Sequence, residues 1–152
     1  MTSTGLSGRS DDYIEVTDHE IDPTVVIGHA HHQRAGAVVL FLGTVRDHAP
    51  GRDGVTHLEY EAYEGVVEPK IAEVVAEARE AWPLERAAAV HRTGSLGVGE
   101  TAVAVAVSSA HREDAFAAGS YIIDELKARA PIWKKEHWPG GAEWVREDHQ
   151  RG

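Results

Sequence analysis

The sequence predicts a mixed α/β or α+β fold, and three observations carry that prediction. Segments of strand periodicity and segments of helical periodicity alternate along the chain. Clusters of Gly, Pro and Asp separate them, with no internal repeat and no low-complexity tract. At 152 residues, 42% hydrophobic and 26% charged, the chain has the composition of an ordinary globular protein long enough to bury its own core. Strand order within the sheet is left open. Residues 1–10 are small and polar and are expected to be a disordered tail, residues 11–146 a single domain, and 147–152 a C-terminal tail.

Residues 13–16 alternate and read as a short edge strand. In "DPTVVIGHAHHQRAG", Asp22 is placed to cap a helix, Pro23 to occupy its first turn and Gly36 to lie beyond its end, which predicts a helix of about three turns. "AGAVVLFLGTV" is continuously apolar and β-branched, the pattern of a buried central strand. "RDHAPGRDG" follows as a loop expected to be mobile. In "VTHLEYEAY", Thr56, Leu58, Tyr60 and Ala62 alternate against Val55, His57, Glu59 and Glu61, predicting a half-exposed strand. "VVEPKIAEVVAEAREAW" spaces Ile71, Val74, Val75, Ala78 and Trp82 as a helix face and ends before Pro83.

A strand pair follows, "AAAVHR" and "TAVAVAVSSA", joined by the Gly-rich turn "TGSLGVGE". In its second member Val103, Val105 and Val107 face one side and Ala102, Ala104 and Ala106 the other. "REDAFAAGSYIIDELKARA" is the longest helix and is stopped by Pro131. "IWKKEHW", a "PGG" turn and "AEWV" predict a terminal hairpin.

Charge narrows the function. The formal net charge is −10, from 15 Lys and Arg against 25 Asp and Glu, so the broad basic field that nucleic acid or an anionic membrane requires is missing. Residues 126–135 nevertheless hold four cations and no acid: a local patch suited to a small anion. No segment approaches the roughly 20 apolar residues of a membrane span, and "MTSTGLSGRSDD" lacks the apolar centre of a secretory signal; the cytoplasm is the expected compartment. With no cysteine, disulfides, thiolate metal sites and cysteine nucleophiles are excluded.

Lys127 and Lys134 are the candidate catalytic pair. On the last helix Phe116, Gly119, Ile123, Leu126 and Ala130 form an apolar stripe, and Lys127 falls about 20° from Phe116 around the axis. It reads either as a lysine snorkelling at the stripe's edge or as a functional amine. Lys134 lies just past the Pro131 break, where the chain can turn it back toward Lys127. Two amines in one partly dry site suit an anion clamp with a proton-transferring member. Strand alternation puts Lys135 on the opposite face from Lys134. Arg46 stands at a strand-to-loop junction, and His111 and Arg112 at a helix start, where anions are attracted; each also reads as an ordinary surface cation. His29, His31 and His32 in "HAHH" are spaced to scatter around a helix, so no metal site is expected there. "GLSG" and "GSLGVG" lack the pattern of a phosphate loop, and Ser108, Ser109 and His111 lack a nucleophile elbow.

Taken together, "GAVVLFLGTVRDH", "LEYEAY", "AAVHRTGSLGVGE", "SSAHREDAFAAGSYIIDELKARAPIWKKE" and "EWV" resemble the large, catalytic subunits of the molybdopterin synthase family over roughly residues 13–146. The resemblance implies an α/β hammerhead-like α+β fold with an additional antiparallel β subdomain. It implies a homodimer within a heterotetramer, each protomer binding a small ubiquitin-like sulfur-carrier subunit. The carrier's C-terminal Gly-Gly thiocarboxylate would deliver sulfur to cyclic pyranopterin monophosphate to form the molybdopterin dithiolene, with no resident cofactor. Carried over residue by residue, it implies substrate contacts at Thr44, Val45, Arg46, His111, Arg112, Lys127, Lys134, Lys135 and Glu136, with Phe41 as a pocket wall. It also implies an arginine reaching across the dimer, for which this chain offers Arg146 or Arg151. A non-enzymatic module docking a ubiquitin-like tail or a small phosphate ligand would use the same cations and stays open as an alternative; a histidine-based metal hydrolase is a third reading.

Overall fold

The computed structural model describes residues 12–63 and 65–146, the side chain of Arg146 excepted. The two expected tails and Arg151 lie outside the described residues. In chain order the elements are β1 (Tyr13–Thr17), α1 (Pro23–Ala30), β2 (Ala37–Thr44), β3 (His48–Ala49), β4 (Arg52–Asp53), β5 (His57–Ala62), α2 (Val67–Ala81), β6 (Arg86–Arg92), β7 (Gly94–Gly97), β8 (Thr101–Ser109), α3 (Arg112–Arg129), β9 (Ile132–Trp138) and β10 (Gly141–Arg146). One sheet runs β1-β6-β8-β2, with β1 parallel to β6 and the other pairs antiparallel. A second, wholly antiparallel sheet runs β10-β9-β5-β7. This is the expected α+β architecture with an added antiparallel sheet.

The alternation along β8 organises the packing. Val103, Val105 and Val107 face the larger cluster with Ile71, Val74 and Val75 of α2 and Ile122 and Leu126 of α3. Ala104 and Ala106 face a smaller cluster with Val26 and Ala30 of α1. The larger cluster also contains Leu58, Tyr60, Leu96 and Ile132, so the second sheet closes onto the same apolar seam as the first. Each large side chain buried there contributes roughly 1.5–3 kcal/mol.

Local chemistry sets the helix ends. Asp22 accepts from the Thr24 N–H at 3.0 Å and the Thr24 hydroxyl at 2.7 Å, with Pro23 in the first turn. α2 and α3 stop at Trp82 and Ala130, each the residue before a proline. Where the chain enters β2, a Cβ on Gly36 would lie 2.5 Å from the Ala110 carbonyl oxygen, so only glycine fits that approach.

Five expectations are corrected. α1 has 8 residues, about two turns rather than three, because the chain turns extended at His31. β2 is an edge strand, not a central one; it reads as buried because α3 covers one face and Leu40 and Leu42 meet the α1 cluster on the other. The 46–54 segment is no open loop: β3 and β4 pair across it, and Arg52 pins it to the second sheet. The Gly-rich 93–100 turn contains β7, which pairs with β5. Finally, Phe116 is 62% exposed, so it is no part of the buried stripe of α3. That stripe runs through Ala115, Ala118, Gly119, Ile122, Ile123 and Leu126.

No helix among the described residues is long and apolar enough to cross a membrane. Ile122 is fully buried in the larger cluster, so Ile122→Ala should lower the unfolding free energy by about 2–5 kcal/mol. The check is a shifted urea midpoint at unchanged slope.

Candidate functional site

The site forms where α3 breaks and the chain reverses into β9. The Ala130 N–H donates to the Leu126 carbonyl at 3.0 Å and the Ile132 N–H to the Ala130 carbonyl at 2.8 Å, so the last helical turn and the first residues of β9 fold tightly together. Beneath them lies a small recess lined by Ile71, His91, Val103, Ile123, Leu126, Lys127, Ala130 and Ile132. Its free volume is about 10 Å³, room for about one water. Lys127 stands on the flank of α3, half-buried, its stem among apolar residues.

Lys134 sits on the inner face of β9. Alternation puts it on the same face as Ile132 and Glu136, and it is 7% exposed. Its cross-strand neighbour on β5 is Tyr60, itself buried. The Tyr60 ring meets His91 edge-on, with centroids 5.2 Å apart. His91 is 4% exposed, and its Nδ1 lies 2.8 Å from the Arg92 carbonyl oxygen. Lys134, Tyr60, His91 and Lys127 thus follow one another across the seam between the two sheets and α3.

Glu136, at 2% exposure, is the second buried charge on that face of β9. Arg52 reaches it from β4 at 2.6 Å, binds Glu143 at 2.7 Å with its other terminal nitrogen, and lies 3.8 Å above the Trp138 ring. Its guanidinium pKa is raised, first by the Glu143 hydrogen bond and also by that to Glu136. The buried carboxylate is thereby answered by an arginine from 84 residues away in sequence. Lys135 points outward, its ammonium 5.5 Å from the Trp144 ring centroid. His57 and His137 stack nearby at 4.1 Å.

The remaining candidates divide between two ends of the molecule. β2 ends at Thr44, opposite Thr101 at the start of β8, which is the end where Lys127 closes the recess. Thr44 and Arg46 are exposed there. Val45 is 3% exposed and belongs to the core, with its N–H on the Glu100 carbonyl and its carbonyl on the Gly99 N–H. Phe41 is half-buried on the α3 side of β2, against the larger cluster. His111 and Arg112 are exposed at the opposite end, where α3 begins. Fifteen residues of helix separate Arg112 from Lys127, about 22 Å along the axis. One protomer therefore gathers Arg46, Lys127 and Lys134 at one end but leaves His111 and Arg112 at the other.

Two adjoining hollows open beside the seam, of about 510 and 350 Å³, sharing Ala62, Tyr63 and Thr93. The first is bordered by Asp18, Gly65 and Glu68, the second by Tyr60, Glu61, Gly94 and Trp133. Tyr60 is common to this groove and to the buried chain of polar groups. His29, His31 and His32 do not converge: His29 stacks on Tyr13 at 3.8 Å and His32 faces Glu85 at 3.6 Å. Among the described residues no group of three or more His, Asp or Glu could hold a metal ion.

His91, Tyr60 and Arg52 are absent from the sequence-based candidates. The signal that could have found two of them is strand alternation, since His91 is in phase with the buried Ala87 and Ala89 and Tyr60 with the buried Leu58. Arg52 carried no signal, since it stands in a Gly/Pro/Asp segment and its partners are distant in sequence.

The MoaE protein family matches residues 16–129, well over half of the chain. The chain is 50% identical over 117 residues to the molybdopterin synthase catalytic subunit of Staphylococcus carnosus, covering 77% of this chain and 76% of that one. It is 49% identical over 124 residues to the molybdopterin synthase catalytic subunit of Escherichia coli, covering 80% and 82%. The crystal structure of molybdopterin synthase from Staphylococcus aureus superposes with a TM-score of 0.79 at 39% identity, covering 89% of this chain and 96% of that chain.

The position of Lys127 depends on how α3 is tied to α2. Arg129 grips Glu77 through contacts of 2.6 and 3.2 Å, and the Tyr121 hydroxyl donates to the same carboxylate at 2.7 Å. The Arg129 hydrogen bond, then that of Tyr121, holds the Glu77 pKa below its ordinary 4.5. A carboxylate with a depressed folded pKa adds stability above its unfolded pKa and loses it as pH falls through the folded value. The stability gap between wild type and Glu77→Gln should therefore be full at neutral pH and close on acidification below 4.5, as measured by denaturant unfolding across pH.

Proposed function

The chain belongs to the MoaE protein family, and from that premise we propose that it works as a molybdopterin synthase catalytic subunit, acting in the cytoplasm as a sulfurtransferase. In this reading a small ubiquitin-like partner presents a C-terminal Gly-Gly thiocarboxylate, and its sulfur passes to cyclic pyranopterin monophosphate to build the molybdopterin dithiolene. One observation carries the assignment of chemistry: Lys134, at 7% exposure, stands inside the seam one cross-strand step from Tyr60, whose ring meets the His91 that lines the Lys127 recess. Burying an ammonium group is costly, and a positive charge held in a partly dry place binds an anion far more strongly than one in water.

The roles follow from position. The groove past Tyr63, Thr93 and Tyr60 is wide enough for an extended tail, and its glycines Gly65 and Gly94 keep its sides low. A tail led along it arrives at Tyr60, beside Lys134. Lys134 then holds the carboxy-terminal group, while Lys127 moves the proton as the sulfur attacks and the cyclic phosphate opens. Water afterwards hydrolyses the acyl link between carrier and pterin. Arg46 meets the phosphate at the Lys127 end. Phe41 walls the pocket from β2, and Glu136, answered by Arg52, keeps the inner face of β9 in register. Lys135 serves from the outer face.

His111 and Arg112 require a second copy. With about 22 Å of helix between Arg112 and Lys127, they join a phosphate site only if each site of a two-fold dimer takes Lys127 from one protomer and Arg112 from the other. An isologous dimer supplies such exchange symmetrically.

Lys127→Ala should lower kcat by about 10²–10⁴-fold while leaving carrier binding close to wild type, measured by dithiolene pterin formation and by titration with thiocarboxylated carrier. Normal turnover by that variant would overturn the role. Mixing Lys127→Ala with Arg112→Ala protomers should restore about a quarter of wild-type activity, because half of the randomly paired dimers then carry one intact site. No recovery on mixing would place Arg112 outside the site.

A further inference from the structure

We propose that Arg52 is a positioning residue for Arg46: it fastens the β3–β4 hairpin against the second sheet and so sets where Arg46 presents its charge to the substrate phosphate. The inference deepens the reading above and rests on it. β3 and β4 pair at two positions, His48 with Asp53 and Ala49 with Arg52, and a ladder that short does not hold itself in water. Backbone contacts hold its base. Val45 is buried, with its N–H on the Glu100 carbonyl at 3.0 Å and its carbonyl taking the Gly99 N–H at 2.8 Å. Across the base, the Val55 N–H donates to the Asp47 carbonyl at 2.8 Å. The exposed Arg46 stands between these two pins. Both pins lie at the base, so they act as a hinge and the angle of the hairpin is set further out.

Arg52 is placed to set that angle. One terminal nitrogen lies 2.6 Å from Glu136 on β9 and the other 2.7 Å from Glu143 on β10, while the guanidinium carbon is 3.8 Å from the Trp138 ring centroid. Three groups from the β9–β10 hairpin therefore meet one planar fork, which fixes direction as well as distance. With both terminal nitrogens engaged by carboxylates, Arg52 serves the site through its partners rather than by touching substrate. Glu136 is 2% exposed, and a carboxylate so buried is costly unless a cation answers it. Swinging the hairpin away would strip Glu136 of Arg52, so the fastened position is favoured from the β9 side as well. Gly54, at φ +74°, brings the outgoing arm close to Pro139, where an added Cβ would lie 3.8 Å from the proline ring. Glu136 shares its face of β9 with Lys134, two residues away. The tie thus makes one unit of the hairpin that presents Arg46 and the strand that presents Lys134, and a phosphate and a carboxy-terminal group held by one unit keep a fixed separation.

The test compares wild type, Arg52→Ala, Arg52→Gln and Arg52→Lys. Circular dichroism with thermal unfolding verifies each fold, and Arg52→Gln serves should Arg52→Ala fail to fold. The first readout needs no catalysis. Limited trypsin cleavage after Arg46, followed by mass spectrometry, should run about tenfold faster in the alanine and glutamine variants, because proteolysis follows the population of the open hairpin. Cleavage after Arg79, inside α2, should stay as slow as in wild type. In turnover with thiocarboxylated carrier, KM for the pterin precursor should rise about tenfold, the scale of one hydrogen bond to a charged group, with a much smaller change in kcat and in KM for the carrier. Arg52→Lys keeps the charge without the fork and should fall between wild type and Arg52→Ala in both readouts. Failure of the wild-type chain to make product would overturn the functional reading itself. With an active wild type, a folded Arg52→Ala or Arg52→Gln that is cut after Arg46 no faster than wild type, or that keeps the wild-type KM for the precursor, would overturn the role of Arg52 alone.

Discussion

The burial of Lys134 is the constraint on which the rest of the site depends. A side chain ending in an ammonium group, 7% exposed, is tolerated only where the fold surrounds it with polar groups and holds them still. Strand alternation makes the choice unavoidable: with Ile132 committed to the larger cluster, Lys134 and Glu136 must follow it inward along β9. Tyr60 meets Lys134 across the sheet, and Tyr60 in turn sets the ring of His91. Lys134, Tyr60 and His91 thus form a polar line beside the apolar contacts of the larger cluster. In the proposed reading, chemistry is placed where packing alone would have favoured hydrocarbon.

Two carboxylate–arginine ties keep that line from collapsing on itself. Glu136 stands two positions from Lys134 on the same face of β9, where it could compete with substrate for the ammonium. Arg52 takes the near oxygen at 2.6 Å and is itself steadied by Glu143 and the Trp138 ring. The second tie is the Arg129–Glu77 pair with its Tyr121 hydrogen bond. It fixes the last turn of α3 on α2 and so fixes the height of Lys127 above the recess. Neither tie needs to contribute much net stability. Their effect is directional: each decides where an amine points in a chain whose overall charge is negative.

The sequence made the elements legible wherever a local rule decides them. Asp22 and Pro23 mark the start of α1, the residues before Pro83 and Pro131 end α2 and α3, and the Val/Ala alternation of β8 already separates its two faces. What it hid depends on distance along the chain. An apolar run reports that both faces of β2 are covered, but edge position is a matter of backbone pairing, which hydropathy does not see. β7 lies in a Gly-rich segment and becomes a strand only because β5 is there to pair with it. Helical periodicity places Phe116 on one stripe with Gly119, Ile123, Leu126 and Ala130, yet α3 packs closely against the sheet: a Cβ on Gly119 would already touch Val107 at 3.6 Å and Val39 at 3.8 Å. Small residues hold the centre of such a contact, so Ala115, Ala118 and Gly119 define it and Phe116 is turned outward. Lys127 reached the recess from the flank, not from the middle of the buried face. His91 and Tyr60 share the phase of buried apolar residues on their strands, but only the contact between two different sheets reveals that they meet.

The length of α3 adds a further condition. The helix carries Arg112 at its start and Lys127 near its end, and a rigid helix cannot bend these toward each other. A single protomer thus has two cationic poles about 22 Å apart, each too sparse to hold a phosphate and a carboxylate together. β2, the strand that joins the poles along the sheet, is also one of that sheet's two edge strands among the described residues, and α3 beside it presents Phe116 to the outside. An unprotected edge next to an exposed aromatic is a liability in an isolated chain and an asset to a dimer. Bringing two such faces together about a two-fold axis would reverse one helix against the other and set the Arg112 end of each beside the Lys127 end of its partner. The same exposed surface that leaves the protomer incomplete would then assemble two complete sites.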